Sequence, residues 1–111
     1  MSTDVIPFIQ WGSFHSKDIE NPDVLEIEVV TLEQWDSEFS TNVQVKYHIH
    51  GSWEDRILPL RSLESNNPML LNLWNKAVSE KRIKVGTRLS IKTHMGKSRN
   101  HNDMRKYQLG F

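Results

Sequence analysis

Residues 43–50 read VQVKYHIH and contain the clearest two-residue alternation in this chain of 111 residues. In a β-strand, successive side chains point to opposite faces, so such a run predicts one buried face and one polar face. The face predicted to be buried comprises Val43, Val45, Tyr47 and Ile49, and the polar face comprises Gln44, Lys46, His48 and His50. The segment therefore predicts a half-buried strand that presents cationic side chains to solvent.

The same alternation on both sides of this segment predicts a three-stranded meander. VLEIEVVT at 24–31 alternates apolar residues with glutamates and predicts the first strand. Acids and turn-forming residues at 32–42 predict a long hairpin loop. Gly51-Ser52 predicts a turn, and the third strand is predicted near residues 53–60.

A helix and two further strands follow the meander. Asn67-Pro68 predicts a helix start, because asparagine caps helices and proline is favoured at the first helical position. Apolar residues at helical spacing extend the predicted helix over 68–82. TRLSIKTHM at 87–95 and MRKYQLGF at 104–111 alternate again and predict the fourth and fifth strands.

Composition predicts a globular cytoplasmic protein of one domain. Hydrophobic residues make up 37% of the chain and charged residues 25%, and there is no cysteine. No apolar run approaches the roughly 20 residues that a membrane-spanning helix needs, and the first residues do not resemble a secretory signal. We expect residues 1–22 to be a lead-in that packs on a domain formed by residues 23–111.

Charge is distributed unevenly although the net charge is zero. Residues 1–55 contain eleven acids and two Lys or Arg, whereas residues 56–111 contain three acids and twelve Lys or Arg. Such asymmetry can indicate a polyanionic partner. Alternatively, the two halves fold against each other and their charges mix over one surface.

The predicted order of three strands, a helix and two strands resembles the OB-fold. This fold is a five-stranded Greek-key β-barrel, here with one α-helix between strands 3 and 4, and the resemblance covers roughly residues 24–111. Gly86 precedes the predicted fourth strand, as a glycine often does in OB-folds. The resemblance implies a non-catalytic module that binds single-stranded DNA or RNA through the second and third strands and two loops.

In such modules, cationic side chains neutralise phosphates and aromatic rings stack on bases. The side chains expected to do so project from the outside of the predicted barrel or lie in the loop between strands 4 and 5. They are Lys46, His48, His50, Trp53, Lys92, His94, Lys97, Arg99 and Arg105. No catalytic residue, metal or cofactor belongs to this interpretation.

A protein–protein adaptor is an alternative with the same fold. The loop predicted at 32–42 contains Trp35 and Phe39, which could anchor a protein partner. The same loop contains three acids, and carboxylates repel phosphates. The loop therefore fits a protein partner better than a nucleic acid.

A small cupin-like metal enzyme is a second alternative. His48, His50 and Glu54 form the string H-x-H-x₃-E, which resembles the first metal motif of cupins. The glycines that flank the cupin motif are absent, and Asn42 and Leu60 occupy those places. A solvated strand face with two histidines explains the same string without a metal. The chain also contains neither a nucleophile elbow nor a phosphate-binding loop.

Overall fold

The computed structural model describes residues 6–63, 67–97 and 103–111. The elements in chain order are a 3-10 helix (Trp11–Ser13), β1 (Asp23–Asp36), β2 (Ser40–Ile49), β3 (Ser52–Ser62), α1 (Met69–Ser79), β4 (Arg88–Lys97) and β5 (Asp103–Gly110). The strands form one antiparallel sheet in the order β3-β2-β1-β4-β5. Because β4 returns to lie beside β1 after the meander, this is a Greek-key order. The predicted mainly β class, with five strands and one helix between strands 3 and 4, is confirmed.

One face of the sheet carries the aliphatic core. The alternation of the strands places these side chains on the same side, where neighbouring strands pack them together. Side chains with no exposed area include Leu25, Ile27, Val43, Val45, Leu58 and Ile91. Burying each stabilises the fold by about 1.5–3 kcal/mol relative to leaving it exposed. The opposite face is left for polar side chains.

The helix α1 covers the core where β3 and β5 lie. Leu70, Trp74 and Ala77 recur at helical spacing and are buried, and α1 contacts both edge strands. Lys81 has a left-handed φ of 61°, so the helix ends at Ser79, earlier than predicted. Within the described residues, no helix is both long and apolar enough to cross a membrane.

The hairpin between β2 and β3 turns one residue earlier than predicted. Ile49 pairs with Ser52, and the two residues between them, His50 and Gly51, have φ values of 53° and 78°. A two-residue hairpin of this kind needs positive φ at both positions, and glycine adopts it without steric cost. His50 therefore lies in the turn, and the prediction that it continues the polar face of β2 is wrong.

The loop predicted at 32–42 is mostly strand. β1 continues into this region, and only residues 37–39 separate it from β2. The pairing register shifts between Val29 and Gln34, which marks an irregularity in β1. The prediction was wrong because ladder hydrogen bonds keep the backbone extended there without any alternation of apolar side chains.

The N-terminal segment (residues 7–16) lies along the outer edge of β3. The backbone of Ile57 donates to the carbonyl of Pro7 at 2.9 Å and accepts from the N–H of Ile9 at 2.8 Å. Trp11 Nε1 donates to a carbonyl of β3 at 2.8 Å. The segment thus covers part of the open edge of this strand.

The same segment also contacts β5, the opposite edge of the sheet. The rings of Trp11 and Tyr107 meet edge to face with centroids 5.1 Å apart. Arg105 Nη2 donates to the carbonyl oxygen of Phe14 at 2.8 Å. Within the described residues β3 and β5 do not pair with each other, and the N-terminal segment bridges them.

Candidate binding surfaces

A group of charged and aromatic side chains lies on the face of the sheet opposite the core. This set, the central face, comprises Glu26, Glu28, Lys46, His48, Trp53 and Arg88. Pairing across the strands places His48 opposite Trp53 and Glu28 opposite both Lys46 and Arg88. Three of the predicted nucleic-acid contacts, Lys46, His48 and Trp53, are therefore brought together here.

The acids of β1 engage the cations of the central face. His48 Nδ1 lies 3.1 Å from Glu26 Oε2, and Arg88 Nε donates to Glu28 Oε1 at 2.8 Å. Lys46 faces Glu28 on one neighbouring strand and Asp55 on the other. Each exposed pair contributes about 0.2–1 kcal/mol at most, but the carboxylates also repel an approaching phosphate. The acidic and basic halves of the chain therefore mix their charges on this face.

Trp53 on the central face is already in contact with two side chains. Its ring lies 4.7 Å from the His48 ring at an angle of 32°. The guanidinium carbon of Arg88 lies 4.5 Å from the centroid of the Trp53 ring, which is cation–π geometry worth about 0.5–1 kcal/mol at an exposed site. A base could stack on this ring only where these two groups leave it open.

A second surface, the β4–β5 pocket, has a volume of about 420 Å³. Ladder pairing sets Lys92 beside Gln108 and His94 beside Lys106. The complete lining is Ile19, Pro22, Met69, Lys92, His94, Lys106, Tyr107 and Gln108, and it includes no acid. This pocket therefore differs in charge from the central face.

The basic side chains of the β4–β5 pocket have no bonding partner among the described residues. Within the part of the chain that the structure describes, Lys92, His94 and Lys106 make no hydrogen bond or ion pair through their side chains. Asp18 is close enough to interact electrostatically with His94. Its carboxylate accepts a hydrogen bond from Asn21 Nδ2 at 2.9 Å, which holds the pKa of Asp18 below its usual range. The nearby acid is therefore already engaged.

A larger cleft of about 1030 Å³ lies between the N-terminal segment, the β1–β2 turn and the strands β3 and β5. Phe8 and Phe39 contribute exposed aromatic rings to its lining, and Arg61 contributes a guanidinium. The Nε atom of Arg61 is buried and has no hydrogen-bond partner among the described residues. Since leaving a buried donor unsatisfied costs about 1–3 kcal/mol, the cleft favours an acceptor beside Arg61.

Two further predicted contacts, Lys97 and Arg105, are held by neighbouring groups, and Arg105 also lines the cleft. Lys97 Nζ donates to Asp103 Oδ1 at 2.6 Å, and this contact holds the pKa of Asp103 below its usual range. Arg105 turns toward the N-terminal segment, and its Nη1 also donates to the hydroxyl of buried Thr93 at 3.2 Å. Arg99 lies outside the described residues.

The three residues of the cupin-like string do not converge. Glu54 pairs with Tyr47, whereas Trp53 pairs with His48, so Glu54 and His48 point to opposite faces of the sheet. His50 lies in the turn. Among the described residues, no group of three or more His, Asp or Glu side chains could hold a metal ion.

Three cationic residues of these surfaces were missing from the predicted contacts, namely Arg61, Arg88 and Lys106. Lys106 could have been found, because its neighbour Tyr107 shares the apolar side of β5 with Leu109 and alternation places Lys106 on the other side. No pattern in the sequence indicated that Arg61 would line a cavity. The cleft beside it forms only when the N-terminal segment docks against β3.

Comparison with known proteins adds no assignment to these surfaces. No protein-family model, curated protein or solved structure matches this chain. What the chain binds is therefore inferred from its side chains alone.

Proposed function

We propose that this protein is a non-catalytic module that binds single-stranded DNA or RNA along the cleft. The observation that carries the proposal is the lining of the cleft. Phe8 and Phe39 offer aromatic faces beside Arg61, whose buried Nε has no partner in the described part of the chain. Stacking contributes about 1–3 kcal/mol per base, and a guanidinium suits phosphate oxygens.

The Greek-key order supports an OB-like barrel that is open between β3 and β5. The core face is covered by α1, and the N-terminal segment bridges the two strands between which the barrel would close. In OB-folds, the loops between strands 1 and 2 and between strands 4 and 5 flank the nucleic acid. Here the β1–β2 turn and the start of β5 both line the cleft.

The test is fluorescence anisotropy with a labelled single-stranded oligonucleotide of about 12 nucleotides, at about 50 and 200 mM salt. We expect binding that weakens steeply with salt, because phosphate contacts release counterions. Arg61→Gln and Phe39→Ala should each weaken binding by about five- to tenfold.

Lys84→Gln is the matched control, because Lys84 is exposed and lines neither cavity. It should change the affinity by less than about twofold, as expected for a single distant surface charge. Thermal unfolding of each variant separates lost contacts from lost folding. Absence of binding by the wild-type protein at the lower salt concentration would reject the proposal.

An adaptor that binds a protein partner is the second candidate. Trp35 and Phe39 are 41% and 59% exposed at the β1–β2 end of the sheet, and acids such as Glu33, Asp36 and Glu38 are exposed beside them in the chain. Exposed aromatic anchors with an acidic rim suit a basic partner. Trp35 does not line the cleft. Under the main proposal, Trp35→Ala therefore leaves oligonucleotide affinity unchanged, while under the adaptor candidate it abolishes partner binding.

A further inference from the structure

We infer that the β4–β5 pocket binds the terminal phosphate monoester of a nucleic-acid strand. The inference rests on the proposed function, which concerns the cleft, and it adds recognition of a strand end. Tyr107 lines both cavities, so the pocket and the cleft are neighbours. A strand that lies in the cleft can therefore place its end near the pocket.

The cationic groups of the pocket converge from two adjacent strands. His94 and Lys106 are directly paired across the β4–β5 ladder. A Cβ atom at Gly96 would lie 3.3 Å from Lys106 Cε and 3.8 Å from His94 Nε2. The absence of a side chain at Gly96 thus leaves room for both groups on the same side of the sheet. Lys92 adds a second ammonium group two residues before His94.

The charge of the pocket favours a monoester over an internal phosphodiester. A phosphate monoester carries about −1.5 to −2 charges near neutral pH and three acceptor oxygens, whereas each phosphate within a strand carries one charge. Neither Lys92 nor Lys106 has a side-chain partner within the described residues, so both can donate to such a group. The side-chain amide of Gln108, which is paired with Lys92, supplies a further donor.

The remaining lining fits the nucleoside that carries the phosphate. Ile19, Pro22 and Met69 form an apolar side next to the cations. The volume of about 420 Å³ lies within the range of small-molecule sites, which is about 300–1,000 Å³. One phosphorylated terminal nucleotide is therefore a ligand of suitable size and chemistry.

The test compares oligonucleotides of one sequence that differ only at their ends. They carry a 5′-phosphate, a 3′-phosphate or hydroxyls at both ends, and each is titrated by competition against the same labelled strand. We expect one phosphorylated form to bind about tenfold more tightly than the form with two hydroxyl ends, since charge-assisted contacts are added at the pocket. The phosphorylated form that binds more tightly shows which end of the strand the pocket recognises.

Lys106→Gln and Lys92→Gln should each reduce this preference to less than about threefold, while affinity for the strand with two hydroxyl ends changes little. Lys46→Gln on the central face is the matched control and should keep the full preference. Equal binding of all three strands by the wild-type protein would overturn the inference but leave the proposed function standing. Absence of binding by any strand would reject both.

Discussion

The central face and the β4–β5 pocket contain similar basic side chains, but the two surfaces differ in the acids that lie beside them. On the central face, Glu28 accepts a hydrogen bond from Arg88 and lies opposite Lys46, which has Asp55 on its other side, so acids surround the cations there. In the pocket, Lys92 and Lys106 have no partner among the described residues, and no acid lines the cavity. The two surfaces differ because β1 places Glu26 and Glu28 on the central face, whereas its residue opposite Lys92 is Val24. Strand order therefore decides which cations are available to a ligand.

The largest difference is expected when one charge is reversed in each region. Lys106→Glu should weaken binding of the preferred phosphorylated strand by about thirtyfold, since it removes a contact and adds repulsion. Lys46→Glu should weaken it by less than about threefold, because that site already lies among acids. Both are measured by anisotropy at the same salt concentration. Equal losses for the two variants would contradict the distinction between the regions.

A second prediction concerns Tyr107, the wall that the pocket shares with the cleft. Burial raises its pKa to about 12, although the cation of Arg105 opposes the shift. The unfolded chain has a tyrosine pKa near 10, so the folded state keeps the proton while the unfolded state loses it. Below about pH 10 this difference in pKa stabilises the folded state by about 2–3 kcal/mol. The stabilisation is lost as pH rises through about 12.

Denaturant unfolding of the wild-type protein and of Tyr107→Phe, measured between about pH 9 and 12, checks this prediction. The free energy of unfolding of the wild type should fall more steeply with pH than that of the variant. Parallel curves would show that the hydroxyl is accessible to water and that the wall of the pocket is open.

The smallest expected effect comes from removing the acids of the central face. Glu26→Gln combined with Glu28→Gln should strengthen oligonucleotide binding by about three- to fivefold, because His48 and Arg88 are released and repulsion falls. The dependence of affinity on salt should become steeper, since more phosphates can be contacted. Glu80→Gln, which removes an exposed acid beyond the end of the helix, is the control. Unchanged affinity in the double variant would show that the cations of the central face do not bind a strand even after the acids beside them are removed.

Most of the fold was predictable from the sequence, because alternation and helical spacing report which side chains are buried. Val43 and Val45 on β2 and Trp74 on α1 are buried as their spacing indicated. Boundaries were harder wherever the backbone alone determines the structure. The turn at His50 depends on its positive φ, and no side-chain pattern encodes that angle.

The candidate site was less predictable, since it depends on contacts between distant parts of the chain. Strand alternation correctly placed Lys92 and His94 on the polar side of β4. It did not reveal that Glu28 would face Lys46 and Arg88, which requires the order of the strands. Alternation within β5 also places Lys106 on the side of the sheet opposite Arg105.

The most direct test of the account is to map amide chemical-shift changes by NMR while a single-stranded oligonucleotide is added at low salt. The account predicts that the largest changes occur around Arg61 in the cleft and around Lys92 and Lys106 in the pocket. Amides near Lys46 on the central face should move little. Changes concentrated on the central face, or no changes at all, would contradict the claim that free cations, and not merely abundant ones, determine where the strand binds.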